Sequence, residues 1–329
     1  MTCQQLSLST SSLFSPVYLR PFHTNFPYLF RCSFPNDTKS WYPMNSQFSR
    51  HISAVVSGGS NLRSRTSSIA DEFKLTYLEA NSWLWDIDGV VILVDPIVVG
   101  NLDFNIPWLY NSSKKHLKDL QITDLPPVDI ILITQSLDDH CHVKTLTPLS
   151  QLIPDVKVIA TPNAEGLISP LFSNVTYLEP GSSYLHEKGV EIKATAGPVL
   201  GPPWQRPENG YLVRSTRGNA MYYEPHCVYD ESGLADERAE VVITPVVKQL
   251  LPGLTLVSGQ EDAVRLAKML QARVVVPMRN GDLKSEGFLA TLVRSQGTVD
   301  SFIELLQKEV PCAKVMVPVP GVALEFSVV

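Results

Sequence analysis

The sequence predicts a layered α/β domain, two sheets with helices on their outer faces, behind an N-terminal leader that does not fold. Three observations carry this reading. From Phe73 onward, short β-type runs alternate with turn residues. Further along, continuous apolar runs of strand length recur, as expected of strands buried on both faces. Between them, segments such as EDAVRLAKMLQA and TVDSFIELLQKEV carry apolar residues at helical spacing.

The leader is set apart by composition. Through Ala70 there are six Lys/Arg (Arg20, Arg31, Lys39, Arg50, Arg63, Arg65) and one acid, Asp37. Ser and Thr dominate, and such a segment buries too little apolar surface to offset chain entropy. Arg- and Ser-rich, acid-poor composition fits an organelle transit peptide, and the excess of Ser over Arg favours the plastid. We therefore expect a leader over residues 1–68, a folded domain over 69–329, and a chloroplast stromal location. The alternative is a disordered tail that stays in place.

After the leader, 21 basic and 32 acidic residues leave a net charge of −11. That balance argues against a phosphate-binding surface and so against nucleic acid as a partner. No apolar run approaches the ~18 residues of a membrane helix. VVILVDPIVVG and VMVPVPGVAL are interrupted by Asp95 and by prolines. Cys141, Cys227 and Cys312 are odd in number and form no CxxC pair, so a disulfide framework is not expected.

Taken in order, FKLTYLE, SWLWDID and VVILVDP read as a meander, with Asp88-Gly89 as a tight hairpin turn. A long loop follows from Ile97 to about Asp124, carrying Trp108 and Tyr110. Within it, KKHLKDL reads as helix surface with His116 exposed. VDIILIT is a buried strand, VKTLTPLSQLI a helix and VKVIATP another buried strand. GVEIKATA, GYLVRST, NAMYYE, AEVVITP and ARVVVPM continue the strands, with His186 in a turn before them. In EDAVRLAKMLQA, Ala263, Leu266, Ala267 and Leu270 share one helical face. Thr298 is the expected N-cap of the last helix, and VALEFSV closes the chain.

The stretch LITQSLDDHCHVKTL carries the functional question. A buried strand runs into Gln135-Ser136-Leu137-Asp138-Asp139-His140, which places carboxylates and an imidazole at a strand's C-terminal edge, where ligands gather in layered α/β folds. With the ILVDP, ATAGPVLG, AMYYEPH and VVVPMRNG segments, this resembles the metallo-β-lactamase superfamily, from Phe73 to the C-terminus. It is similar above all to a plant and cyanobacterial branch that carries TQSLDDHCH. The resemblance implies a four-layer αβ/βα sandwich and a metal-dependent hydrolase ancestry. It also implies where the pattern fails. The His-x-His-x-Asp-His motif keeps only Asp139 and His140. Gln135 and Leu137 stand where histidines are expected, as do Pro198 and Arg279 further on. Pro225, between Glu224 and His226, stands where an aspartate is expected.

Zinc needs imidazole, thiolate or carboxylate donors, so the first of two family metal positions is expected to be empty. Asp139 and His140, with Glu224 or His226, remain as candidate ligands for one divalent ion, zinc foremost. The opposing reading needs no metal. Asp138 and Asp139 at a recessed strand end require a cation, and Arg279 supplies it through a two-pronged contact with Asp139. A cleft lined by Gln135, Leu137, Trp108, Pro198, Trp204 and Arg206 would take a small-molecule ligand, Arg206 recognising an anion. Recruitment of the His140-Cys141-His142 and His226-Cys227 runs, or a nucleophilic cysteine, is a lesser alternative. Two functions follow: a ligand-binding or non-catalytic protein with a degraded site, favoured on chemistry alone, or a single-metal hydrolase of an ester, thioester, amide or phosphoester.

Overall fold

The computed structural model describes residues 71–202, 204–279 and 283–328. The leader expected over residues 1–68 lies outside the described residues. In chain order, Asp71–Tyr77 (β1), Trp83–Ile87 (β2) and Val90–Val94 (β3) form the meander. Asn111–Ser113 (β4) sits in the long loop. Ile130–Ile133 (β5), Val143–Leu152 (α1), Lys157–Ala160 (β6), Glu165–Ile168 (α2) and Val175–Tyr177 (β7) make parallel βα units. The second half comprises Ser183–Leu185 (β8), Glu191–Ala196 (β9), Asn209–Arg214 (β10), Ala220–Tyr223 (β11), Glu231–Leu234 (α3) and Val241–Pro245 (β12). It continues with Lys248–Leu251 (β13), Leu254–Val257 (β14), Gln260–Met269 (α4), Val274–Met278 (β15), Lys284–Glu286 (β16) and Phe288–Leu292 (α5). Arg294–Gln296 (β17), Val299–Glu309 (α6), Lys314–Val315 (β18) and Ala323–Val328 (β19) complete it.

One seven-stranded sheet runs β19-β1-β2-β3-β5-β6-β7 and a second runs β18-β15-β12-β11-β10-β9-β8. Between them lies the main core, with Trp83, Trp85, Ile92 and Ile130 from the first sheet against Tyr211, Tyr223 and Ile243 from the second. The alternate residues of the same strands face outward. Leu93, Ile131 and Val158 pack under α1 and α2, through Leu146, Leu149 and Ile168. Leu212, Tyr222 and Val242 pack under α4 and α6, through Leu266, Phe302 and Leu306. The period-2 geometry of a strand sends neighbouring residues to opposite faces, and this is what makes four layers from two sheets.

The expected turns and caps are present. Asp88 and Gly89 both have positive φ, 51° and 80°, as a tight hairpin turn requires. Thr298 caps α6, its hydroxyl accepting from the Ser301 N–H at 3.0 Å. One expectation fails: KKHLKDL is not a helix. The buried Glu79 carboxylate accepts the backbone N–H groups of Lys115 (2.9 Å), His116 (3.1 Å) and Leu117 (2.8 Å), and the segment turns around that carboxylate as a nest of successive amides. Lys114 is buried beside it, donating to the Leu78 carbonyl at 2.6 Å. Burial pushes its ammonium down to about 8, against the pull of Glu79.

At one end of the sandwich three bonds cross between the halves. The Asn209 N–H donates to Thr134 O (3.0 Å), Tyr211 Oη to Ile133 O (3.0 Å), and Tyr223 Oη to Asn81 O (3.0 Å). They fix the C-terminal end of β5 against the start of β10, and the end of β11 against the turn between β1 and β2, and the loops that follow β5 and β11 meet there.

Trp85 is fully buried and meets Tyr223 edge to face at 5.3 Å. We expect Trp85→Ala to lower stability by about 3–5 kcal/mol. Trp108→Ala, at a side chain 75 % exposed, is expected to change it by less than about 0.5 kcal/mol. Urea unfolding midpoints compare the two.

Candidate metal centre

Asp95, at the end of β3, organises the site. Its backbone has φ 41°, a left-handed conformation that non-glycine residues rarely adopt. Its carboxylate accepts from the Thr134 N–H (2.8 Å) and the Thr134 hydroxyl (2.6 Å), and lies 2.8 Å from His140 Nδ1. The strain of about 1–3 kcal/mol at such a residue is offset by this set of buried bonds. Asp95 thus ties the end of β3, the end of β5 and the loop after β5 into one unit.

The loop from Thr134 carries His140 inward. Its Nδ1 faces Asp95, and its Nε2 lies 3.2 Å from Asp139 Oδ2. Asn81 closes the ring's other side: Nδ2 is 2.8 Å from His140 Nε2 and 3.2 Å from the Asp139 carbonyl oxygen. His226, after β11, brings its ring to 5.2 Å from that of His140, centre to centre. Donor atoms of Asp139, His140 and His226 all lie within 4.8 Å of one another, and all three residues are buried. Burial alone would push the His140 imidazole down. The charges of Asp139 and Asp95, and their hydrogen bonds, outweigh it and raise it to about 9.

Glu224 and Gln135 form the next ring of contacts. Glu224 Oε2 accepts from the His226 N–H (3.0 Å) and the Val228 N–H (2.6 Å). Gln135 Nε2 sits 2.7 Å from His226 Nδ1 and 3.4 Å from Glu224 Oε1. Of the two candidates for a third ligand, His226 is the one whose donor atom lies within 4.8 Å of those of Asp139 and His140. Ser136, beside Gln135, donates to the buried Glu208 at 2.6 Å. Burial raises Glu208, and hydrogen bonds from Ser136 among others oppose that.

Several expected roles are not supported by the geometry. Arg279 is exposed, whereas Asp139 is fully buried. The Arg279 backbone carbonyl accepts from Tyr77 Oη at 3.2 Å. The group that faces Asp139 is the His140 imidazole. Asp138 turns the other way, accepting from the Phe104 N–H at 3.1 Å. Burial is the main cause that raises it, to about 6. Of the expected cleft, Gln135 is buried at the site and Leu137 and Pro198 are half-buried. Trp108 and Trp204 stand in solvent at 75 % and 85 % exposure and wall off nothing, and Arg206 pairs with Glu179 at 3.1 Å. The two cysteines part company. Cys141 lies in the core under α1 and Cys227 in the core under α4, and burial pushes both thiols up, away from thiolate chemistry. His142 Nδ1 turns to Thr145 Oγ1 at 2.9 Å, and burial pushes its imidazole down to about 4.

The sequence reading missed Asn81, Asp95 and Thr134 as site residues. A signal existed for Asp95, since a carboxylate ending a wholly apolar strand needs partners in the interior.

A buried His/Asp cluster at facing strand ends of an αβ/βα sandwich now stands beside a sequence match. Residues 74–279, more than half of the chain, match the family described as beta-lactamase superfamily domain. The chain belongs to the metallo-β-lactamase superfamily. No curated protein matches the sequence. Among solved structures, it is similar to Igni18, a metallo hydrolase from the archaeon Ignicoccus hospitalis, at 19 % identity and a TM-score of 0.56, over 78 % of this chain and 98 % of that one. It is also similar to isothiocyanate hydrolase from Delia radicum gut bacteria, at 18 % identity and 0.56, over 78 % and 100 %. A third is CmlA, a diiron beta-hydroxylase from Streptomyces venezuelae, at 14 % and 0.55, over 80 % and 55 %. At these identities the likeness is one of fold. Among the described residues, no helix is long and apolar enough to cross a membrane.

In this metallo-β-lactamase fold the protonated His140 is itself a stabilising group. Its raised folded value means that the stabilisation is complete below the unfolded value near 6.5 and is lost as pH climbs through about 9. Chelator-treated protein should therefore lose thermal stability between those limits, and His140→Gln should flatten that part of the profile.

Proposed function

We propose that the protein is a single-metal hydrolase of a small molecule, with Asp139, His140 and His226 as the ligands of one divalent ion. The observation that carries the reading is the convergence of those three donors within 4.8 Å, with His140 Nδ1 anchored on Asp95. The donor chemistry fits: two imidazoles and a carboxylate are a usual three-ligand set for zinc, and suit iron or manganese less selectively. A second ion does not fit. Leu137 and Pro198 offer no side-chain donor, and Glu224 is held by two backbone amides.

When bound, such an ion supplies Lewis acidity and lowers the pKa of water toward about 7. The chain's residues prepare for it. Asp95 accepts the Nδ1 proton of His140 and so leaves Nε2 to face the cluster. Asn81 holds the Asp139 backbone in place. Gln135, Asp139, His140 and Glu224 are fully buried and His226 keeps 6 % exposure, so approach from solvent passes over the His226 edge. An ester, thioester, amide or phosphoester is the substrate class in keeping with hydrolysis at such a centre.

One observation favours a second reading. His140 lies between two carboxylates at 2.8 and 3.2 Å, so an imidazolium there neutralises the pocket with no ion at all. The protein would then be a non-catalytic, ligand-binding member with a degraded site, the counter-charge coming from His140. The two readings differ by one proton on His140 Nε2.

Metal analysis after zinc-, iron- or manganese-supplemented expression separates them. The hydrolase reading expects about one ion per chain, lost in Asp139→Ala and His226→Ala. Asp95→Ala is expected to weaken binding roughly 10- to 100-fold. Trace metal in every preparation leaves the imidazolium reading standing and removes the hydrolase.

We further propose a plastid location, supported by the acid-poor, Ser- and Arg-bearing N-terminus, and kinship with a plant and cyanobacterial branch, supported by the TQSLDDHCH stretch. Residues 1–70 fused to a fluorescent protein should direct it into chloroplasts. Diffuse cytosolic fluorescence would count against this.

A further inference from the structure

Gln135 is fully buried, and its carboxamide touches His226 and Glu224. As oriented, Nε2 uses both its protons, one toward His226 Nδ1 at 2.7 Å and one toward Glu224 Oε1 at 3.4 Å. The other end of the same group, Oε1, is buried with no hydrogen-bond partner. A buried orphan acceptor costs about 1–3 kcal/mol, so this orientation is a compromise.

The orientation also dictates the proton on His226. A donor facing Nδ1 requires a lone pair there, which puts the ring proton of the neutral imidazole on Nε2. That tautomer has no free lone pair: one is taken by Gln135 and the other nitrogen is protonated. A half-turn of the amide reverses this. Its carbonyl oxygen would accept from Nδ1–H, and the Nε2 lone pair of His226 would be open. The amide nitrogen would then occupy the place now held by the orphan oxygen. The two orientations have nearly the same shape, so the turn needs no repacking; its cost is the Glu224 hydrogen bond, since the carbonyl oxygen would then face Oε1, and a bound ion must offset it.

We propose that Gln135 is a positioning residue that sets the tautomer of His226, its amide N–H facing the ring when the site is empty and its carbonyl facing the ring when the site holds an ion. This rests on the single-metal reading, which it deepens: the third ligand becomes available through the rotation of one neighbouring amide. Glu224 Oε2 is fixed by the amides of His226 and Val228, and the three-donor cluster includes His226.

Nitrogen-detected NMR of the full chain with labelled histidine tests it, first after chelator treatment and then with zinc. The expected result is a His226 proton on Nε2 without zinc and on Nδ1 with it. In Gln135→Met, which keeps the length and loses both hydrogen bonds, the zinc-free protein should show a mixture of tautomers and bind zinc roughly 10- to 100-fold more weakly. Zinc uptake with the same His226 tautomer in both states overturns the proposal while leaving the metal site intact. Unchanged zinc affinity in Gln135→Met overturns it as well. Failure of the wild-type chain to take up zinc overturns the single-metal reading and the Gln135 role with it. If Gln135→Met does not fold, the two wild-type spectra decide alone.

Discussion

The carboxylate of Asp95 is the fixed point of the molecule's functional end. It holds a left-handed backbone turn at the exit of β3, both polar groups of Thr134 at the exit of β5, and the inner nitrogen of His140. Two parallel strands and the loop after them are thereby one rigid body. The three bonds from Asn209, Tyr211 and Tyr223 then seat the second sheet's strand end against it. Without that carboxylate, Thr134 and His140 would each leave buried polar groups without partners, at a cost of about 1–3 kcal/mol apiece. The geometry of Asp139, His140 and His226 is therefore set by packing and hydrogen bonding within the chain, in advance of any ligand.

Charge decides what that geometry can hold. Three buried carboxylates meet at the site, and each has its own kind of compensation. Glu224 is met by two backbone N–H groups and the Gln135 amide. Asp95 is met by Thr134 and by His140. Asp139 faces His140 Nε2 and Asn81. An arginine was the obvious counter-charge in the sequence, but Arg279 stands in solvent at the end of β15, where hydration is worth more to a guanidinium than a buried ion pair. The imidazole is the better choice for this pocket. It can give up its second proton at moderate cost, whereas a guanidinium cannot.

The layers of the fold were legible because the strands alternate and the helices repeat with clear periods. Trp83 and Trp85 face one core while Leu84 and Leu93 face the other, and the sequence pattern carries that directly. Asp139, His140 and His226 were legible because carboxylate and imidazole at strand ends are chemically conspicuous. What stayed hidden depends on contacts between residues far apart in sequence. The Glu79 carboxylate unwinding KKHLKDL is separated from that segment by more than a full strand hairpin, and no local propensity reports it. Asn81 and Asp95 lie in turns of the first meander, and only the packing of one sheet on the other brings them to His140. Trp204 and Arg206 failed for the opposite reason. A proline-rich loop with an aromatic looks like a cleft wall in sequence, but the loop turns these two side chains outward, Arg206 onto Glu179.

Among the three carboxylates, Asp139 is the one that shares its place with the two imidazoles. A proton on His140 would bring one positive charge there; a divalent ion, held by Asp139 and two neutral rings, would bring two in place of that proton. Two divalent ions would bring four positive charges into a pocket where Leu137 and Pro198 contribute no donor atoms and the remaining carboxylates are already engaged. Desolvating the second ion would then go uncompensated. In the single-metal reading, the neutral amide and apolar groups around the Asp139, His140 and His226 cluster thus do more than withhold ligands. In that reading a proton and a single ion would compete for the same place, with the side chains of Asp95, Asn81 and Gln135 holding the balance between them.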